Sequence, residues 1–388
     1  EVFEIINSKI KNVKKEEICG FVGDLVNMET AFIFKEFFER TIDSKNYESR
    51  SSNKFVDCSE RENYIFNTTI NGIEESDLIF LIGTNPRFEA TILNARIRKS
   101  YLKNNDLKII SLNNIGDLTY PYESLNGKTQ TIKDILDKKT DTYNQIITAK
   151  KPMVVLGDSF FKLKSAKYLF NNIKNFLIQN KKYENDWNPL NVLSTDASTV
   201  GNYDLDIVNH NKNLIKDLND NKFKIVYFLG QDDLIFKKKD EFVIYQGSHG
   251  DRGAEMADII LPGSAYTEQS GYFTNLEGKI QKAYKASYPP GESKEDWQII
   301  NELAELMNNR KLFNDKDELE SSMFNYLKLK QEKKNFTGTK ITESSFIEED
   351  LKIFYKDYYF SNVISRSSKT MLDCHNSKID VQRTGTEG

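Results

Sequence analysis

The sequence predicts an α/β protein made of two Rossmann-like modules, each a doubly wound parallel sheet. Three observations carry that expectation. Short apolar runs alternate with amphipathic stretches from the start of the chain to about residue 263, the pattern of βαβ units. Several of these runs end on glycine followed by a small polar residue, as strands do at the ligand-binding edge of a doubly wound sheet. A length of 388 residues leaves room for more than one core.

Taken in order, Cys19 to Gly23 reads as a strand and Met28 to Arg40 as a helix. Asp77 to Ile82 reads as a strand, Arg87 to Lys103 as a helix and Leu107 to Leu112 as the next strand. A second set begins at Pro152. Met153 to Leu156 is a strand ending at Gly157-Asp158, Phe160 to Gln179 a helix and Leu190 to Leu193 a strand. Lys224 to Leu229, ending at Gly230-Gln231-Asp232, and Phe242 to Gln246 are further strands. Ala257 to Leu261 reads as a buried strand stopped by Pro262-Gly263, with polar loops following at 267–271 and 275–278. Lys294 to Met307 is an amphipathic helix with Trp297, Ile300, Leu303 and Leu306 along one side. The modules are therefore drawn as 1–150 and 151–308. Residues 309–388 turn polar and are expected to form an extended tail draped over partners, although Phe346, Ile347, Leu351, Phe354 and Tyr355 could still pack.

Composition narrows the function. With 54 Lys+Arg against 58 Asp+Glu the formal charge is -4, which lacks the basic excess that phosphate-backbone binding needs, so nucleic acid is not an expected partner. No apolar run reaches the ~18 residues of a membrane span, so membrane association is expected only through a complex. Cys19, Cys58 and Cys374 form no C-x-x-C pair, and an iron–sulfur cluster normally takes four thiolates, so this chain cannot supply a full ligand set. Cys19 and Cys58 read as inert thiols, and His249 has no partner at metal-ligand spacing; no metal site is expected. Gly127-Lys128-Thr129 is not a P-loop, because Tyr122 stands where the first glycine belongs.

Two runs carry a resemblance. Asp258-Ile259-Ile260-Leu261-Pro262-Gly263, then Tyr266-Thr267-Glu268 and Asn275-Leu276-Glu277-Gly278, resembles a signature of the molybdopterin oxidoreductase superfamily. Gly83-Thr84-Asn85-Pro86-Arg87-Phe88-Glu89-Ala90 with Asn94-Ala95-Arg96-Ile97-Arg98-Lys99-Ser100 is similar to one branch, the large iron–sulfur (75 kDa) subunit of respiratory complex I. Ile364-Ser365-Arg366-Ser367-Ser368-Lys369-Thr370-Met371 follows the same branch near the end.

The resemblance implies a molybdopterin-oxidoreductase-type fold in a structural, non-catalytic part of the peripheral arm of complex I, an NADH:ubiquinone oxidoreductase that translocates protons. It also implies vestigial pterin-site positions at Thr84, Asn85, Arg87, Glu268 and Asn275, with no catalytic residue and no cofactor in this chain. Iron–sulfur clusters and FMN are then expected on partner chains. The family carries its clusters in an N-terminal region not found in this sequence, so either the sequence is a fragment or the subunit is processed or split; the expected partners are other peripheral-arm subunits, including a cluster-bearing N-terminal half if the subunit is split. The location implied is the matrix side of the mitochondrial inner membrane, with the cytoplasmic face of a bacterial membrane as the alternative. The competing functional reading is a catalytic molybdopterin-dependent oxidoreductase of the formate dehydrogenase type.

Overall fold

The computed structural model describes residues 1–184, 186–332 and 345–384; of the expected tail, 333–344 and 385–388 lie outside the described residues. Among the described residues twelve strands follow in chain order: β1 Ile18–Val22, β2 Tyr47–Glu48, β3 Leu78–Ile82, β4 Lys108–Ser111, β5 Glu123–Ser124, β6 Pro152–Gly157, β7 Leu190–Leu193, β8 Ile225–Leu229, β9 Phe242–Gly247, β10 Ile259–Pro262, β11 Gly271–Thr274 and β12 Ile280–Ala283. They form two five-stranded sheets, β10-β9-β8-β1-β2 (sheet A) and β5-β4-β3-β6-β7 (sheet B), and the hairpin β11-β12. The strands of sheets A and B pair with one another in parallel, and the hairpin is antiparallel.

Both sheets are doubly wound, but the division at residue 150 does not follow them. Sheet B joins β3, β4 and β5, which precede residue 150, to β6 and β7, which follow it. The whole of sheet B is inserted between β2 and β8 of sheet A. Alternation of apolar runs reports that strands exist and not which strands pair, and β2, with only two residues, gives no sign that the chain is leaving a sheet.

Central strands β1, β3, β6 and β8 are buried along their full length because helices cover both faces, as a parallel sheet requires. One face of sheet A packs on the helices Met28–Phe37, Asp296–Asn308 and Lys316–Glu332 through Phe32, Ile300, Leu303 and Met323. Sheet B packs on the helix Ala166–Gln179 through Leu169, Phe170 and Ile173, and on Thr91–Lys103 through Leu93 and Ile97.

Three expectations need correction. β10 is an edge strand, with Ile260 54% exposed, and not a buried one; an apolar run cannot tell the two apart. The helix Asp296–Asn308 buries Ile299, Ile300, Leu303 and Ala304, leaving Leu306 on its rim. The helix Lys316–Glu332, placed by sequence in a tail, belongs to the sheet A core: Leu319 and Met323 are fully buried. Lys35 donates to Tyr326 Oη at 2.6 Å, and Lys330 reaches Asp206 at 2.6 Å, fixing this helix from the polar side. The Lys- and Glu-rich face that made the segment look like tail is its solvent side.

Candidate functional site

Each sheet reverses its winding once, between β1 and β8 in sheet A and between β3 and β6 in sheet B. A doubly wound sheet leaves its ligand crevice outside the carboxyl ends of the strands at such a reversal. A matched pair of glycines follows these strands. A Cβ on Gly23 would lie 1.7 Å from the carbonyl oxygen of Gly230, and a Cβ on Gly157 would lie 2.4 Å from that of Gly83. The glycines read from sequence as openings for a ligand are used to bring one loop backbone against the next.

Beyond the glycines the strand ends carry carboxylates. Asp24 follows β1, Asp158 follows β6, Asp196 follows β7, and Asp232 and Asp233 follow β8. They line two neighbouring cavities, about 520 Å³ on the sheet B side and about 50 Å³ on the sheet A side. Lys54 and Lys162 hold Asp158 at 2.6 and 2.8 Å, and although burial opposes it, these ammonium groups keep the carboxyl well below its ordinary range. Burial, reinforced by Asp196, holds the Asp24 carboxyl well above its ordinary range. Against its own burial, Asp233 is pushed down to about 2 by the hydrogen bond with Asp24 and by Lys356.

The cations that answer Asp24, Asp196 and Asp233 come from the C-terminal segment. Lys356 Nζ lies 2.6 Å from Asp24, 3.1 Å from Asp196 and 2.6 Å from Asp233. Arg366 reaches Asp233 at 3.1 Å and Asp251 at 2.6 Å. Sequence reasoning missed these residues as a group, because nothing local links Lys356 to Asp24. The only signals were the small polar residues after the strand glycines and the run from Ile364 to Met371 that holds Arg366.

The five vestigial candidates are not brought into one pocket. Thr84 and Asn85 lie at the end of β3, where Thr84 Oγ1 and the Asn85 N–H donate to Glu89 at 2.7 and 2.5 Å. Asn85 also caps the helical turn Pro86–Glu89 by accepting from Arg87 N–H, and its amide donates to Ile115 O at 2.9 Å. Arg87 is spent on Asp117, at 2.6 Å to its carbonyl and 2.7 Å to its carboxylate. Glu268 accepts from Ala265 N–H at 2.9 Å, and Asn275 accepts from Glu277 and Lys279 N–H at 3.1 and 2.8 Å. Only Glu89, their partner, lines the larger cavity, and burial raises its carboxyl to about 7.

The second signature loop is a hairpin turn, and its residues anchor it to neighbouring segments. Glu277 accepts from Ile70 N–H at 2.6 Å, while Arg61 donates to Gly278 O at 2.5 Å and forms a two-point pair with Asp204 at 2.9 and 2.8 Å. On the other side Glu29, 1% exposed, accepts from Tyr272 N–H at 2.8 Å with its second oxygen unpaired.

Burial raises the Glu29 carboxyl to about 7. A carboxyl raised in the folded state favours folding at low pH, and that advantage is lost as pH climbs from about 4.5 to about 7, by about 3 kcal/mol. Glu29→Gln should therefore be near neutral for stability at pH 5 and stabilising by about 1–2 kcal/mol at pH 8. Urea unfolding at the two pH values checks this; equal effects at both would rule it out.

The polar groups at the positions named from the resemblance bond within the chain, Asp24, Asp196 and Asp233 face Lys356, and Asp233 and Asp251 face Arg366.

Comparison with known proteins bears on both sheets and on the C-terminal segment. A family model described as Molybdopterin oxidoreductase matches residues 1–306, and one described as the C-terminal region of the NADH-ubiquinone oxidoreductase G subunit matches residues 318–374. The chain is 33% identical to the NADH-ubiquinone oxidoreductase 75 kDa subunit of Reclinomonas americana, over 96% of this chain and 57% of the relative. It is 35% identical to the 78 kDa mitochondrial subunit of Candida albicans, over 95% and 52%. It is 33% identical to the NADH-quinone oxidoreductase G subunit of Rickettsia bellii, over 99% and 56%. The chain spans little more than half the length of these relatives. Among solved structures, a chain of the formyltransferase/hydrolase complex of Methylorubrum extorquens, solved with methylofuran, shares the fold with a TM-score of 0.54 at 10% identity, over 80% of this chain and 96% of that one. With two doubly wound sheets and a match over residues 1–306, the chain belongs to the molybdopterin oxidoreductase family, and its homologues include the 75 and 78 kDa subunits of NADH-ubiquinone oxidoreductase.

Proposed function

We propose that this chain is a structural part of the peripheral arm of respiratory complex I that binds no cofactor of its own. Its work is to cap and position the cluster-bearing portion of the assembly, keeping electron-transfer distances fixed while the complex passes electrons from NADH to ubiquinone and translocates protons. The observation that carries this reading is the content of the crevice. The segment that supplies Lys356 and Arg366 falls within the stretch matched to the C-terminal family of NADH-ubiquinone oxidoreductase, so the branch-specific part of the chain is what meets the crevice carboxylates. Redox cofactors, including iron–sulfur clusters and FMN, would then reside on other peripheral-arm subunits or on a cluster-bearing N-terminal portion. No helix among the described residues is long and apolar enough to cross a membrane, which is consistent with attachment through the complex at the matrix side of the inner mitochondrial membrane.

The test is native purification through a tag on this chain, with mass spectrometry of the partners and elemental analysis for iron, molybdenum and tungsten. The expected result is iron together with complex I subunits, and neither molybdenum nor tungsten. Stoichiometric molybdenum or tungsten without those subunits would overturn the reading in favour of a catalytic molybdopterin-dependent oxidoreductase.

A further inference from the structure

The family's cofactor crevice is present in outline, yet the chain itself stands in it. We propose that residues 346–366 are a resident strap, a segment in cis that lies in part of the crevice, ties sheet A to sheet B and keeps the carboxylates at the strand ends engaged. The proposal rests on the structural reading above, since carboxylates engaged in this way are not available to hold a substrate.

The strap is anchored at both ends and in the middle. On the sheet B side Leu351 is 2% exposed; its N–H donates to Gly127 O at 2.8 Å and its carbonyl accepts from Asn113 Nδ2 at 2.6 Å. The Phe354 N–H donates to Ser159 Oγ at 2.9 Å, and Tyr355 lies flat on Phe88 with centroids 4.7 Å apart and planes within 9°. At the centre Lys356 spans the two sheets, because Asp24 and Asp233 follow strands of sheet A and Asp196 follows a strand of sheet B. At the far end Arg366 pairs with Asp251 and Asp233, beside the short helix Val363–Arg366 that Asn362 caps. An exogenous ligand would have to displace these two cations and leave the carboxylates they answer without partners. The cavity of about 520 Å³ that remains is walled by the strap on one side, at Phe354, Tyr355, Lys356 and Tyr358.

Hydrogen exchange followed by mass spectrometry on the full chain tests this. In the wild type, peptides covering 351–356 should exchange at least about 100-fold slower than an unstructured chain; unprotected exchange there would overturn the proposal. In Lys356→Ala/Arg366→Ala the same peptides should exchange at least tenfold faster than in wild type while β3 and β6 hold their protection. The dye 8-anilinonaphthalene-1-sulfonate should then bind with several-fold higher fluorescence as the crevice opens. Unchanged exchange and dye binding in a folded double variant would sink the strap. If the double variant loses protection everywhere, Tyr355→Ser decides, since it removes only the stacking on Phe88: local exchange about threefold faster supports the strap, and no change overturns it. Failure of the strap leaves the partners and metal content of the wild-type chain as expected, whereas failure of the structural reading appears as molybdenum or tungsten in the wild type.

Discussion

Gly83→Ala should destabilise the chain by about 2–5 kcal/mol. Two independent costs meet at this residue. Its φ of +71° lies in the left-handed region, where an L side chain costs of order 1–2 kcal/mol. A Cβ there would also lie 2.5 Å from the backbone nitrogen of Phe160 and 2.9 Å from its Cα, so the loop after β6 would have to move, at about 1–3 kcal/mol. Gly116 separates the two terms. It has nearly the same φ, +76°, but nothing lies within 4 Å of a Cβ built on it, so Gly116→Ala should cost only about 1 kcal/mol. Urea unfolding of the two variants measures the difference. If they fall together, the close approach of Gly83 to the next loop carries no energy, and the use of these glycines to bring one loop backbone against the next does not explain their presence.

That account also explains what could be read from the sequence and what could not. The strands Leu78–Ile82 and Ile225–Leu229 were legible because parallel strands buried on both faces read as unbroken apolar runs. The glycines that end β1, β3, β6 and β8 were legible as special positions. Their use was not, since a glycine that lets a phosphate approach a loop and a glycine that lets another loop approach it are the same letter. Thr84, Asn85 and Arg87 were singled out correctly as polar groups at a strand's carboxyl end. Which partner took them was decided by Glu89, Ile115 and Asp117, whose arrival depends on how the helix and the loop after β4 are folded. The crevice cations were the least visible. Lys356 is 160 residues from Asp196 and 332 from Asp24, and one lysine among many in a polar stretch carries no local mark. The same polarity hid the helix Lys316–Glu332, whose buried positions Leu319, Met323 and Leu327 keep a spacing of four residues within a charged surround.

Arg61→Ala should cost about 3–5 kcal/mol, and the loss should appear first in the hairpin β11-β12. Asp204 is 5% exposed and accepts from Arg61 twice and from Tyr64 Oη at 2.8 Å. Removing the guanidinium leaves that carboxylate buried with one neutral donor at short range, which is the costly way to break such a pair. The hairpin loses as well, because the same guanidinium holds the carbonyl of Gly278 at 2.5 Å, and the turn then hangs on Glu277 and Ile70.

A double variant distinguishes a net contribution from a mere removal penalty. Arg61→Met/Asp204→Asn takes away both charges and keeps most of the volume, so it should recover more than half of the loss seen in Arg61→Ala. Full recovery would mean that the pair adds no net stability and serves to fix the hairpin's position. No recovery would mean that the pair itself supplies the energy. Hydrogen exchange across 271–283 reads the positional role directly: faster exchange there in the double variant, at restored global stability, is the outcome expected if the Asn275–Gly278 signature survives in this chain as an anchor between the two sheets.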